Sequence, residues 1–117
     1  MYEEILYKLS KSKFRNSFHL NLKLNQYVND KGINEIKEHA YYFINTRLKP
    51  SIIKNDGKQT PTKNHPVFIS QHATATCCRS CLEKWHNIKK NKELTDKEVD
   101  YIVNLIITWI KKEMSNN

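Results

Sequence analysis

Apolar residues from Ile33 onward recur at Ile36, Ala40, Phe43, Ile44 and Leu48, the 3.6-residue rhythm of a helix with one buried face. Pro50 ends it, because the residue before a proline is pushed out of the helical region. A second stripe, Val99, Ile102, Val103, Ile106 and Ile110, follows Thr95 and Glu98, whose spacing is that of a capping box. These two segments predict helices. Tyr2 to Leu9 and Leu20 to Val28 carry the same period more weakly, and Gly32 offers a place for the chain to take a positive φ after the second of them. Between Lys49 and Ser70 the pattern gives way to turn formers, "KPSIIKNDGKQTPTKNHP", which predicts a long polar loop. "VFIS" after Pro66 is too short to establish a sheet. The expected fold is mainly α: one compact helical domain over residues 1–117, with residues 1–10 as an N-terminal arm or helix, 11–114 as the core and 115–117 as a tail.

The loop leads into "QHATATCCRSCLEKWH", Gln71 to His86, which holds all three cysteines and two of the five histidines. As a helix from about Thr74 to Ile88, it would set Cys77, Cys78, Cys81, Trp85 and Ile88 on one arc. Cysteine behaves as a small buried hydrophobe, so that arc is also what a plain core-facing helix looks like. Chemistry enters through the surroundings. Thr74 or Thr76 as N-cap would place Cys77 or Cys78 at the positive end of the helix dipole, which favours thiolate. Cys77 and Cys81, one turn apart, can converge on one ion, with His65, His72 and His86 nearby. Thiolate with imidazole suits Zn²⁺, and the metal candidates are His72, Cys77, Cys78, Cys81 and His86. No second ligand pair at zinc-ribbon spacing is present. Cys78-x-x-Cys81 also has redox-dithiol spacing but lacks a thioredoxin-like context, and Leu82 after Cys81 disfavours haem attachment.

The chain of 117 residues has a formal net charge of +8. That balance favours an anionic partner, either nucleic acid or a small anionic ligand. Three cysteines, two of them adjacent, do not form a secreted-type disulfide framework. The N-terminus is acidic where a signal peptide is basic, and no run is long enough to span a bilayer, so a cytoplasmic protein with no membrane association is expected.

Certain segments resemble one known family. "FRNSFHL", "NDGKQTP", "HPVFISQHATATCCRSCLEKWH" and "ELTDKEVDYIVNLIITWI" are similar to domain-of-unknown-function family 4186, a group of small bacterial proteins, over about Lys11 to Lys112. The family label carries no activity. The resemblance implies that the polar segments form one site: Arg15 and His19, then His39 and Arg47, then Asp56, Lys58 and Gln59, and the block from His72 to His86. The chain departs from the family pattern at Asn87, Lys89 and Asn91, where glycine, proline and glycine are expected.

Several of these residues have plain readings as well. His39 borders the Ile36 and Phe43 stripe, Arg47 suits a helix C-terminus, and Asp56-Gly57 is a turn signal. Arg15, Arg47, Lys58 and Arg79 are the candidate anion contacts, and His19, His39, Asp56, Gln59 and His65 complete the candidate site. Two function classes follow. One is a nucleic-acid- or anion-binding module tied by a metal; the other is a small metal- or thiol-dependent enzyme acting on an anionic or nucleic-acid substrate.

Overall fold

The computed structural model describes residues 1–116, and Asn117 of the expected tail lies outside the described residues. Six α-helices appear among these residues, with no strand: α1 Glu3–Ser10, α2 Leu22–Lys31, α3 Ile33–Arg47, α4 Pro66–Ala73, α5 Arg79–His86 and α6 Asp96–Ser115. A 3-10 turn, Arg15–Ser17, separates α1 from α2. The mainly α expectation holds, and the Cα radius of gyration, 13.3 Å, is that of one compact globule. No helix among the described residues is long and apolar enough to cross a membrane.

The two strongest sequence patterns form the frame. In α3, Ile36, Ala40 and Ile44 are buried, and they face the Val99, Ile102, Val103, Ile106 and Ile110 side of α6 in the main hydrophobic core. Thr95 accepts from the Glu98 amide at 3.1 Å and the Glu98 carboxylate accepts from the Thr95 amide at 2.9 Å, completing the capping box. Thr95→Ala is expected to lower stability by about 1 kcal/mol, read as an earlier urea midpoint with unchanged slope. Gly32, at φ 83, both ends α2 and starts α3, so a single positive-φ residue turns the chain between them.

Two expectations are corrected. The polar loop stops at His65, and "VFIS" belongs to α4, whose eight residues are all buried. Of the expected helix from Thr74 to Ile88 only Arg79–His86 is helical, as α5, and the residues before it end α4. Thr74 caps the end of α4, Ala75 turns left-handed at φ 57, and the Thr76 amide reaches back to the Gln71 carbonyl at 2.8 Å while the Ala75 amide donates to His72 O at 3.4 Å. This is the Schellman arrangement that normally uses glycine. Polar bonds beneath it hold alanine there: Gln71 Nε2 donates to Thr76 O at 3.0 Å, Thr74 Oγ1 to Ser70 O at 2.7 Å, and the Thr74 and Thr76 hydroxyls lie 2.9 Å apart. Ile88 lies beyond the end of α5, so the single arc running from Cys77 to Ile88 does not exist.

Asn87 and Asn91 are both left-handed, at φ 56 and 67. Asparagine tolerates that region better than other side-chain-bearing residues.

Candidate metal centre

The break between α4 and α5 brings the thiols together. Cys78 is extended, with φ −158 and ψ 166, and caps α5 with its sulfur, which accepts from the Cys81 amide at 3.3 Å. Cys81 therefore sits in the first turn of α5 and Cys77 just ahead of it. The sulfurs of Cys77 and Cys81 are 3.7 Å apart, and all three sulfurs lie within 4.8 Å of one another. None of the cysteines belongs to the main hydrophobic core. Trp85 turns elsewhere and meets Lys8 of α1, whose ammonium is 5.8 Å from the ring centroid.

Arg15 completes the cluster from the far end of the chain. Its guanidinium is buried and donates to Cys81 Sγ at 3.1 Å, to Cys77 Sγ at 3.6 Å and to the His72 carbonyl at 2.8 Å. A buried guanidinium needs a compensating anion and filled donors, and this site offers both. Hydrogen bonds from Cys77 and Cys78, reinforced by Arg15, hold the Cys81 thiol well below its ordinary range. Hydrogen bonding to its thiol neighbours and burial push Cys77 up, and Cys78 is also raised. These opposite shifts favour one thiolate, at Cys81 beside the guanidinium, flanked by two neutral thiols. A helix dipole favours Cys77 or Cys78 as the thiolate; the shorter Arg15 contact, 3.1 Å to Cys81 Sγ against 3.6 Å to Cys77 Sγ, favours Cys81 instead.

The histidines are otherwise employed. His86 Nε2 faces the Thr74 carbonyl at 2.8 Å, so it carries the proton, and Nδ1 accepts from Tyr101 Oη at 2.9 Å. His72 Nε2 donates to the Thr60 and Pro61 carbonyls at 3.1 and 3.0 Å, and its ring stacks on Phe18. Neither ring joins the group of three sulfurs. His19 is exposed and pairs with Glu113 at 3.0 Å. His39 and His65 pair with each other at 3.1 Å, and His65 Nδ1 caps α4 by accepting from the Val67 amide. Burial, with His39 alongside, pushes His65 down to about 4.

Most of the candidate anion contacts turn inward. Arg79 is buried and gives its terminal nitrogens to four carbonyls, those of Leu48, Pro50, Lys89 and Lys92, at 2.8 to 3.1 Å. Arg47 donates to Gln59 O at 2.9 Å and lies over Phe43 and Phe68. Lys58 is exposed in the turn, where its amide donates to Asn55 O. Asp56 is the surprise of this loop. Its carboxylate takes the Arg79 and Ser80 amides at 2.9 and 3.0 Å, the Ser80 hydroxyl at 2.6 Å and Gln59 Nε2 at 3.0 Å, so the Asp56–Gln59 turn caps α5 from outside. Thr60, which the sequence reading did not single out, anchors the same loop by donating to Cys77 O at 2.7 Å. Its polarity within a polar loop carried no signal of that contact.

Desolvation opposes ionisation of Asp56, but the bonds from Gln59, Ser80 and the two amides prevail and hold its carboxyl at about 2. A carboxyl whose folded value is depressed contributes its stability in full above the unfolded value and loses it as pH falls through the folded one. Stability attributable to Asp56 should therefore decline between about pH 4 and pH 2. Urea midpoints of wild type and Asp56→Asn should converge over that interval; parallel curves would refute the assignment.

The family described as domain of unknown function (DUF4186) matches residues 3–111 of the 117, and the chain belongs to it. No solved structure matches the chain.

Proposed function

We propose that this member of a family without an assigned activity is a metal-binding module, in which Cys77, Cys78 and Cys81 hold one thiophilic divalent ion, zinc by preference. The observation that carries this reading is the sulfur spacing. Two thiolates on one tetrahedral zinc, each at about 2.3 Å, stand about 3.8 Å apart, and Cys77 and Cys81 are 3.7 Å apart. Charge supports it as well. Three thiolates around a divalent ion carry one net negative charge, and the buried Arg15 guanidinium cancels it. Bonds to sulfur from the Cys81 amide and from Arg15 are the kind of outer contact that orients metal-binding thiolates. Three protein ligands leave one position for water or a small molecule.

Elemental analysis of untagged protein is the test. About one equivalent of zinc is expected, lost in Cys77→Ser/Cys81→Ser and retained in His86→Gln, since His86 has both ring nitrogens engaged. Loading the apo protein should release about two protons per ion, because Cys81 is already ionised and its two neighbours are not. Folded protein that takes up no transition metal on reconstitution would sink the reading.

The charge of +8 favours a second reading, binding of nucleic acid or a small anion. With all three of the candidate arginines turned inward, lysines are left to make such contacts.

A further inference from the structure

We propose that a concavity between the 3-10 turn, the start of α2 and the segment entering α4 binds a small organic phosphate through Lys23 and Lys63. The proposal rests on the second reading above and gives it a place; it is independent of the metal.

The cavity measures about 600 Å³, within the range of small-molecule sites. Its apolar lining comes from Phe18, Leu24 and Ile69, and Ser17, Thr62 and Asn64 supply hydroxyl and amide groups. Among the described residues no carboxylate lines it, and the one carboxylate beside it, Glu113, is engaged with His19 at 3.0 Å. The ammonium groups of Lys23 and Lys63 make no hydrogen bond, ion pair or ring contact with any described residue, unlike those of Lys31, which meets Glu35, and Lys49, which meets Asp96. Two uncompensated ammonium groups lining one concavity favour a dianion between them.

The wall is also built in advance. His72 Nε2 holds the Thr60 and Pro61 carbonyls, and His65 caps α4, so the residues between them are fixed at both ends. Asn64 is left-handed at φ 82, a conformation retained against its cost by those anchors. A polar, cationic wall fixed before a ligand arrives lowers the ordering cost of binding. A phosphate with an organic body matches the inventory: charge for the lysines, donors for its oxygens, and Leu24 with Ile69 for its apolar part.

The test is a titration of the full chain with inorganic pyrophosphate, a 5′-mononucleotide and a short single-stranded oligonucleotide, following backbone amide shifts. Pyrophosphate and the mononucleotide should saturably shift Lys23 and the amides of Thr62 to Asn64, the mononucleotide more tightly. Lys23→Glu/Lys63→Glu should weaken both by about tenfold or more, with Lys97→Glu as a control that leaves them unchanged. Lys23→Gln/Lys63→Gln serves if the charge reversal disturbs the fold. Binding that survives either double variant, or binding of the oligonucleotide alone, overturns this site while leaving anion binding elsewhere intact. No saturable shift with any of the three removes the site and the second reading together. Zinc content, measured on the same samples, should not differ among these variants.

Discussion

Chelation of the zinc-loaded protein is expected to destabilise it by about 4 kcal/mol when free zinc had stood a thousandfold above its dissociation constant, and to expose one thiol in particular. The three sulfurs join the end of α4, the start of α5 and, through Arg15, the 3-10 turn, so an ion at this point ties together segments that are distant in sequence. Removal leaves Cys81 as thiolate, partly exposed, and Cys77 and Cys78 as buried neutral thiols. Iodoacetamide at neutral pH should then modify Cys81 first and the other two slowly, because the thiolate is the nucleophile. With zinc present all three should be protected. Mass spectrometry of the alkylated protein, with and without chelator, reads the order directly. Equal inertness of all three in both conditions, with access only in denaturant, would make the cluster ordinary packing.

Arg79→Ala should be the most damaging substitution outside the cysteine cluster, at about 4 kcal/mol. The side chain is 2% exposed and is the common partner of four carbonyls drawn from two loops, at Leu48 and Pro50 on one side and Lys89 and Lys92 on the other. Truncation leaves those acceptors without their donor and a void among them. Lysine should rescue little, since a single ammonium cannot reproduce a planar fork that reaches four oxygens. Equilibrium urea unfolding of the alanine and lysine variants tests this, and a loss below about 1 kcal/mol for alanine would show that water replaces the guanidinium without cost.

The candidate site was legible in the sequence to an uneven degree. Cys77, Cys78 and Cys81 stood out because three thiols within five positions are unusual in any context, and the structure does bring them together. Their supposed histidine partners did not follow. Proximity along the chain says nothing about which ring nitrogens a carbonyl or hydroxyl has already taken, and His72 and His86 are both engaged in that way. Lys23 and Lys63 carried no signal at all, because a lysine left without a partner looks in sequence like any other.

What the sequence by itself determined were the elements whose information is local: α3 from its apolar stripe, α6 from its stripe and capping box, and the turn at Gly32. Each depends on residues three or four positions apart, and side chains at that spacing meet on a helix whatever the rest of the chain does. Tertiary structure decided the break at Ala75 and the composition of the thiol cluster. No glycine marks the end of α4; buried bonds among Gln71, Thr74 and Thr76 hold alanine at positive φ there. Arg15 lies 62 and 66 positions from the sulfurs it contacts. Periodicity does not reach that far, and only the packing of the 3-10 turn against α4 brings the guanidinium to the thiols.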